Sequence, residues 1–345
     1  MFSINANTNI ETFIQLVENK TNIVIAGHIN SDGDCMGSAF SLGYALTMLG
    51  KKNVNILLNN LSDTYDYIIE MFKNSSNPEA QNMIYDGDIS ELNPDLFIAV
   101  DCADIRRLGH FKEVFDRATT TINIDHHISN VNFADLNIVQ PATSSTSEVV
   151  FEILNQIGCF NQEIATAIYS GIVSDTAGFK HNCTGPRTHE IAGKLISMGT
   201  EVSEIHSKLL YTHTFANARI LAKTIDNLDE FQEGCIISTL TKNEILEDCK
   251  ASYEDLEGIS AYLADFQDIG VSVLMYERAN GDIKISFRSR ELDVNELASK
   301  FGGGGHKLAS GATIENGNLE DLKAKVITRV KIALENLEYS KSIEN

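Results

Sequence analysis

No run in this sequence approaches the roughly 18 consecutive apolar residues of a membrane span, which argues against a spanning helix. It also has no C-x-x-C pair. Its six cysteines, Cys35, Cys102, Cys159, Cys183, Cys235 and Cys249, are scattered singly. That spacing suits a reducing compartment better than a disulfide framework or a zinc ribbon. A basic leader followed by an apolar stretch is missing as well. Asn5, Asn7, Asn9 and Glu11 stand where a secretion signal would need apolar residues, so the expected location is the cytoplasm. Positive charge is scarce: 27 Lys and Arg against 48 Asp and Glu leave a net charge of −21. Binding to long nucleic acid or to an anionic membrane rests on a basic surface, and this chain does not supply one. A small anionic substrate held through bound cations stays compatible, because the cations bring their own positive charge.

What is present is an ordinary globular composition, 43% hydrophobic and 22% charged, over 345 residues. That length exceeds one ordinary core and suits two domains. Short runs rich in Ile and Val predict strands at Asn22–Ala26, Val54–Leu58, Leu96–Val100, Thr121–Ile124 and Leu136–Val139. Helical spacing falls between and after them, at Met36–Leu49 and Ser145–Ile157, then at Ile164–Val173, Arg187–Met198 and Ser203–Leu210. Strands alternating with helices predict an α/β domain with a mainly parallel sheet, whose ligands bind at the carboxyl ends of the strands. A smaller α/β domain follows. It begins near Cys235–Leu240 and holds a hairpin, Val271–Glu277 and Asp282–Arg288, around a type I′ turn at Asn280-Gly281. Helix Val294–Lys300 leads into the glycine run Gly302–Gly305, and Leu319–Leu337 closes the chain as an amphipathic helix. The expected organisation is a catalytic domain over 1–205, a helical connector over 206–230 that includes Phe215–Leu228, and a substrate-binding domain over 231–340.

The chemistry gathers at strand ends. After the first strand come His28-Ile29-Asn30-Ser31-Asp32-Gly33-Asp34, an imidazole and two carboxylates within seven residues. Gly33 is expected to turn the chain tightly so that both aspartates aim at one point. Imidazole with carboxylate is a ligand set for a divalent cation. Taken alone, the segment reads equally well as a polar loop with a helix cap. But Leu96–Val100 ends in Asp101, Thr121–Ile124 ends in Asp125-His126-His127, and Ile164–Val173 is followed by Ser174-Asp175. A charge closing a buried strand is costly unless it is paired or bound to metal, and four such coincidences predict one shared metal site. His110, His181, His189, His206 and His213 show no ligand spacing and read as helix-face or surface residues. Cys35 and Cys102, beside site aspartates, read as small packing residues.

The combination H-I-N-S-D-G-D, V-D, D-H-H and S-D resembles the DHH phosphoesterase superfamily, which Asp125-His126-His127 names. Flanking segments fit too: Asp101-Cys102-Ala103, Arg106-Arg107-Leu108-Gly109, Ser144-Ser145-Thr146-Ser147-Glu148 and Asp175-Thr176-Ala177-Gly178-Phe179. Phe287-Arg288-Ser289 and Gly302-Gly303-Gly304-Gly305-His306 look like the DHH-associated C-terminal domain. Ser31 departs from the pattern, which often has proline there; the ligand positions are intact. The resemblance implies an active site in the cleft between two domains and two bound divalent ions. One ion is held by His28, Asp32 and Asp101, the other by Asp34, Asp101, His126 and Asp175. Mn²⁺ is preferred for mixed nitrogen and oxygen ligands, with Mg²⁺ as the alternative. Two such ions lower the pKa of a shared water and clamp the phosphorus oxygens. Asp125 would orient a neighbouring histidine, His127 would contact the phosphate and help the leaving oxygen, and Asn30 would donate to a phosphate oxygen. The glycine run alone reads as a helix cap. With His306, and with Arg288, Ser289 and Arg290 before it, it reads as a backbone N–H cradle for the substrate's far phosphate and base.

Within that superfamily, an inorganic pyrophosphatase would lack the glycine run and its histidine. A processive single-strand exonuclease would need a longer chain and a basic channel. The best fit is the compact two-domain type, the NrnA type: oligoribonucleases acting on very short RNA and dinucleotides such as pApA, many also removing the 3′-phosphate of adenosine 3′,5′-bisphosphate. A cyclic di-AMP phosphodiesterase is the alternative enzyme, and a nucleotide-sensing module with a degenerate site the non-enzyme one. A homodimer is left open.

Overall fold

The structure, a computed structural model, describes residues 4–59, 63–211 and 214–344. The chain divides into two compact units, Met1–Thr212 and His213–Asn345.

In the first unit the chain forms α1 (Ile4–Glu18), β1 (Asn22–Ala26), α2 (Gly33–Met48), β2 (Asn53–Leu57), α3 (Asp66–Lys73), α4 (Pro78–Gln81) and β3 (Leu96–Val100). It continues through α5 (Lys112–Arg117), β4 (Thr121–Asp125), β5 (Leu136–Val139), α6 (Thr146–Ile157), α7 (Gln162–Asp175), α8 (Pro186–Ser197) and α9 (Val202–Leu210). The five strands are parallel in the order β2-β1-β3-β4-β5. Side chains alternate across the sheet. Ile23, Ile25, Ile98, Val100, Ile122 and Ile124 face the core built with α2, α6 and α7, whereas Val24, Ala26, Phe97 and Ala99 pack against Leu108, Phe111 and Phe115. Burial on both faces explains why these strands are continuously apolar.

The expected strands are present, with β2 starting one residue early and β4 running on to take in Asp125. Helix α7 continues two residues past Val173, so Asp175 is its last residue rather than part of a following loop. Helix α2 is buried along almost its whole length. It lies so close to α7 that a Cβ on Gly37 would sit 2.4 Å from the carbonyl of Ala167. That approach brings the start of α2, which carries Asp34, to the end of α7, which carries Asp175.

The second unit comprises α10 (Phe215–Asp226), β6 (Leu228–Gln232), β7 (Cys235–Leu240), α11 (Ile259–Ala264), β8 (Val271–Glu277) and β9 (Ile283–Ser289). It ends with α12 (Val294–Ser299), β10 (Gly304–His306), β11 (Ala309–Ile314) and α13 (Leu319–Glu344). Its sheet is mixed, in the order β10-β11-β9-β8-β7-β6, with only β7 and β8 parallel. Val273, Met275, Ile285 and Phe287 pack with Val326 and Val330 of α13; Ile236 and Leu274 pack on the other face with Ile220 of α10 and Leu263 of α11. Residues 206–230, expected as a connector, therefore divide between the units, with α10 built into the second core.

Two local expectations are corrected here. The Asn280-Gly281 turn is not type I′, since only Gly281 has a left-handed φ (87°). Arg278 pairs with Asp282 and closes a three-residue loop that ends in that glycine. Nor is the glycine run an open N–H cradle. Gly302, Gly303 and Gly305 donate to Ser299 O, Ala298 O and Asn295 Oδ1 at 3.2, 2.9 and 2.9 Å. Close packing requires glycine at Gly303 and Gly305, where a Cβ would lie 2.1 Å from Gly311 O and 2.7 Å from Ala309 O. No helix among the described residues is long and apolar enough to cross a membrane.

Candidate metal centre

Three adjacent strands, β1, β3 and β4, release their side chains at one edge of the first sheet. After β1 comes His28, 4% exposed. Asp32 caps α2, its Oδ1 accepting the N–H groups of Asp34 and Cys35 at 3.1 and 3.0 Å. Its Oδ2 lies 3.6 Å from His28 Nε2. Gly33 has no left-handed φ; it is the first residue of α2, where a Cβ would stand 2.5 Å from Ser174 Cβ. Close approach to α7, not a tight turn, is what requires glycine there. Asp34 is fully buried, and its two oxygens accept the backbone N–H groups of Thr146 and Ser147 at 2.6 and 2.8 Å, in the first turn of α6.

After β3, Asp101 takes a left-handed φ of 56°, a strained conformation for a residue with a Cβ. Its Oδ2 is 3.4 Å from His28 Nε2. Its Oδ1 is 3.9 Å from His126 Nε2, 3.7 Å from His127 Nδ1 and 3.0 Å from the hydroxyl of Thr146. One carboxylate thus turns an oxygen to each side. At the end of β4, His126 Nε2 is 3.2 Å from Asp175 Oδ2, and His127 Nδ1 is 2.7 Å from Asp125 Oδ1.

These atoms form three close groups: His28, Asp32 and Asp101; Asp34, His126 and Asp175; and Asp101, His126 and His127. The six expected ligands are all gathered. Asn30 lies exposed on the turn between His28 and Asp32. The electrostatics show the strain of clustering these acids. Burial, then the charges of Asp101 and Asp32, push the Asp175 carboxyl up to about 7. Burial and the charges of Asp101 and Asp175 push Asp34 well above the carboxylate range. For His28, burial opposes the charged ring, but the hydrogen bonds with Asp101 and Asp32 outweigh it and lift the ring to about 9. Among the described ion pairs no lysine or arginine neutralises these acids. Buried His28 Nδ1 has no hydrogen-bond partner. Four clustered carboxylates and two imidazoles fit divalent cations in their donor chemistry as well as in their uncompensated charge.

Arg288 is half-buried on β9, donates to Phe287 O at 3.0 Å, and has its guanidinium lowered by burial. Ser289 Oγ accepts the N–H groups of Glu291 and Leu292, and Arg290 donates to Phe266 O. Gly304, Gly305 and His306 form an exposed edge strand. His189 stacks on Phe179, His206 on Tyr169, and His110 lies against Phe111; His213 lies outside the described residues. Cys35 and Cys102 are fully buried, and burial raises both thiols. Sequence reasoning missed the work of Thr146, Ser147 and Asn130. The string Ser145-x-x-Glu148 is a helix-start signature that could have placed α6 against the site.

The residue pattern and this geometry meet in known families. The model of the DHH family, N-terminal domain, matches residues 22–172, and that of the DHHA1 domain matches residues 233–332. The chain thus carries a DHH-family N-terminal domain followed by a DHHA1 domain, a pairing that supports a hydrolase. More particularly, it is 29% identical over 321 residues to the bifunctional oligoribonuclease and PAP phosphatase NrnA of Thermus thermophilus, covering 92% of this chain and 91% of that one. It is 26% identical over 296 residues to the protein of the same name from Bacillus subtilis, covering 85% and 89%. Among solved structures, an exopolyphosphatase-related protein from Bacteroides fragilis is similar over 100% of both chains, with a TM-score of 0.80 and 26% identity.

Proposed function

We propose that this chain is a two-metal, Mn²⁺-dependent phosphodiesterase. It hydrolyses short oligoribonucleotides and dinucleotides such as pApA to mononucleotides, and removes the 3′-phosphate of adenosine 3′,5′-bisphosphate. The observation that carries the reading is Asp101, with Oδ2 toward His28 and Oδ1 toward His126. A carboxylate so placed suits a bridge between one cation at His28 and Asp32 and another at Asp34, His126 and Asp175. The names of the Thermus and Bacillus relatives supply the substrate class.

Bound there, divalent cations would acidify a water and offset charge on the phosphoryl oxygens. The chain's own groups do the rest. Asp125 holds His127 by Nδ1, which leaves Nε2 to give a proton to the leaving oxygen. The Asp125 hydrogen bond raises His127 above the usual imidazole value, which favours the protonated ring. Asn30 donates its amide to a phosphate oxygen. Arg288, which has no carboxylate partner among the described ion pairs, and His306 hold the part of the substrate that is not cleaved. Ser289 Oγ accepts from Glu291 and Leu292, and Arg290 Nη2 donates to Phe266 O, so these residues support the strand end and turn beside that grip. Gly302–Gly305 shape the edge that carries His306.

The test is a panel of pApA, longer oligoribonucleotides, adenosine 3′,5′-bisphosphate and cyclic di-AMP, read as kcat/KM with and without Mn²⁺. The expected order puts pApA and short RNA first. Tight nucleotide binding with no Mn²⁺-dependent release of product from any of them would make the chain a sensing module instead.

A further inference from the structure

Thr146, the first residue of α6, is fully buried and touches both halves of the acidic cluster. Its backbone N–H donates to Asp34 Oδ2 at 2.6 Å, and its hydroxyl donates to Asp101 Oδ1 at 3.0 Å. Asp34 belongs to the group with His126 and Asp175; Asp101 belongs to the group with His28 and Asp32. A threonine hydroxyl has a single hydrogen to give. Given to Oδ1, it fixes the rotation of the Asp101 carboxylate and directs that oxygen's remaining lone pair.

Asp101 needs such a fixture. Its backbone is strained, with φ at 56°, and Asp34 and Asp175 lie close enough for its charge to raise their carboxyls. With no cation present, that repulsion turns an untethered carboxylate away from its neighbours. We propose that Thr146 is a positioning residue whose hydroxyl sets the Asp101 carboxylate so that Oδ1 serves the His126 side and Oδ2 the His28 side. This rests on the two-metal reading above. A purely structural helix-start residue would act through its backbone N–H and its packing, neither of which needs the hydroxyl.

Two pairs of side chains isolate that hydroxyl. Thr146→Val keeps the shape of threonine and loses the hydroxyl. Thr146→Ser and Thr146→Ala differ from each other by the hydroxyl alone, which covers a valine variant that fails to fold. Mn²⁺ binding is measured by titration calorimetry on each protein, with thermal unfolding of the metal-free forms and kcat and KM on pApA alongside. The expected result is two Mn²⁺ per wild-type chain and a loss of about 10–100-fold in affinity for Thr146→Val and Thr146→Ala, the range found for groups that orient metal ligands. The kinetic loss should fall on kcat more than on KM, and Thr146→Ser should recover most of it. Wild-type affinity in Thr146→Val or Thr146→Ala overturns the proposal, as does an equal defect in Thr146→Ser and Thr146→Ala. Absence of Mn²⁺ binding to the wild type overturns the two-metal reading, and the role of Thr146 with it.

Discussion

Asp125 holds the Nδ1 of His127 at 2.7 Å, and Asn130 Nδ2 holds the other oxygen of the same carboxylate at 2.6 Å. Burial works to raise the Asp125 carboxyl, but these two hydrogen bonds outweigh it and keep the group below its usual range. The result is a fixed imidazole whose Nε2 alone is left to face an incoming group. His126, the neighbouring residue, instead turns its Nε2 to Asp175. Two adjacent histidines thus have different carboxylate partners.

His127→Ala should therefore keep its Mn²⁺ and lose roughly 10²–10⁴ in kcat, the usual range for a lost general acid. His126→Ala should lose metal. Anomalous scattering from crystals of the two variants separates these outcomes, and equal metal loss in both would sink the division. Asp125→Asn removes the carboxylate whose hydrogen bond and charge raise His127. If His127 acts as the proposed general acid, the alkaline fall in kcat should move to lower pH in that variant.

Asp101→Ala or Asp101→Asn should abolish turnover on every substrate, since each would take a ligand from both cations at once. Retention of more than about a hundredth of wild-type kcat at saturating Mn²⁺ would rule out the bridge, given that such clamps act on both the attacking and leaving oxygens. Metal titration should show both affinities reduced.

The strand ends were legible because buried parallel strands are continuously apolar, and a charge that closes one stands out. His28, Asp101 and Asp125-His126-His127 all came from that signal. The glycine run was harder. Glycine composition does not distinguish an N–H cradle from a close approach of two chains, and the carbonyl of Gly311 that excludes a Cβ at Gly303 is eight residues away in sequence. Thr146 stands in the Ser144–Glu148 segment that fits the family, but its role was not legible, for a similar reason. Its partners Asp34 and Asp101 are 112 and 45 residues distant, and no local pattern records such pairs. Asn280-Gly281 misled because the type I′ preference is a two-residue statistic, while Arg278 and Asp282 set the loop length.

Removing the metal should make stability depend on pH in a defined direction. Asp175 rises from an ordinary carboxylate value to about 7, so the folded state binds more protons than the unfolded state through that window. Stability of the metal-free protein then falls as pH rises toward 7. His28, raised to about 9, adds stability that is fully present below its unfolded value and is lost as pH rises through 9. Both effects have the same sign. Urea unfolding of EDTA-treated protein at pH 5.5, 7 and 8.5 should give a steadily lower midpoint, and Mn²⁺ should restore most where the loss is greatest. Metal binding at pH 8 should release protons, measurable as a dependence of the calorimetric heat on buffer ionisation enthalpy. A metal-free midpoint that rises from pH 5.5 to 8.5 would contradict the assignment of these two groups.

The second unit offers the sharpest test of the substrate class. Arg288 lies on β9 with its guanidinium half-buried and without a carboxylate partner among the described ion pairs, and His306 ends the exposed strand β10. The register sets β11 between those two strands, with Ala309 opposite both residues, so their backbones flank one strand of one sheet. If they grip the part of the nucleotide that is not cleaved, their energy positions the scissile phosphate and appears in kcat as well as in KM. Arg288→Ala and His306→Ala should lower kcat/KM on pApA and leave Mn²⁺ affinity unchanged. Bis-p-nitrophenyl phosphate has no base and no second phosphate, so its hydrolysis should fall much less. Comparing the two substrates on one preparation cancels losses from misfolding. An equal loss on both would mean that these residues do not recognise nucleotide, and the short-RNA assignment would lose its support from this half of the chain.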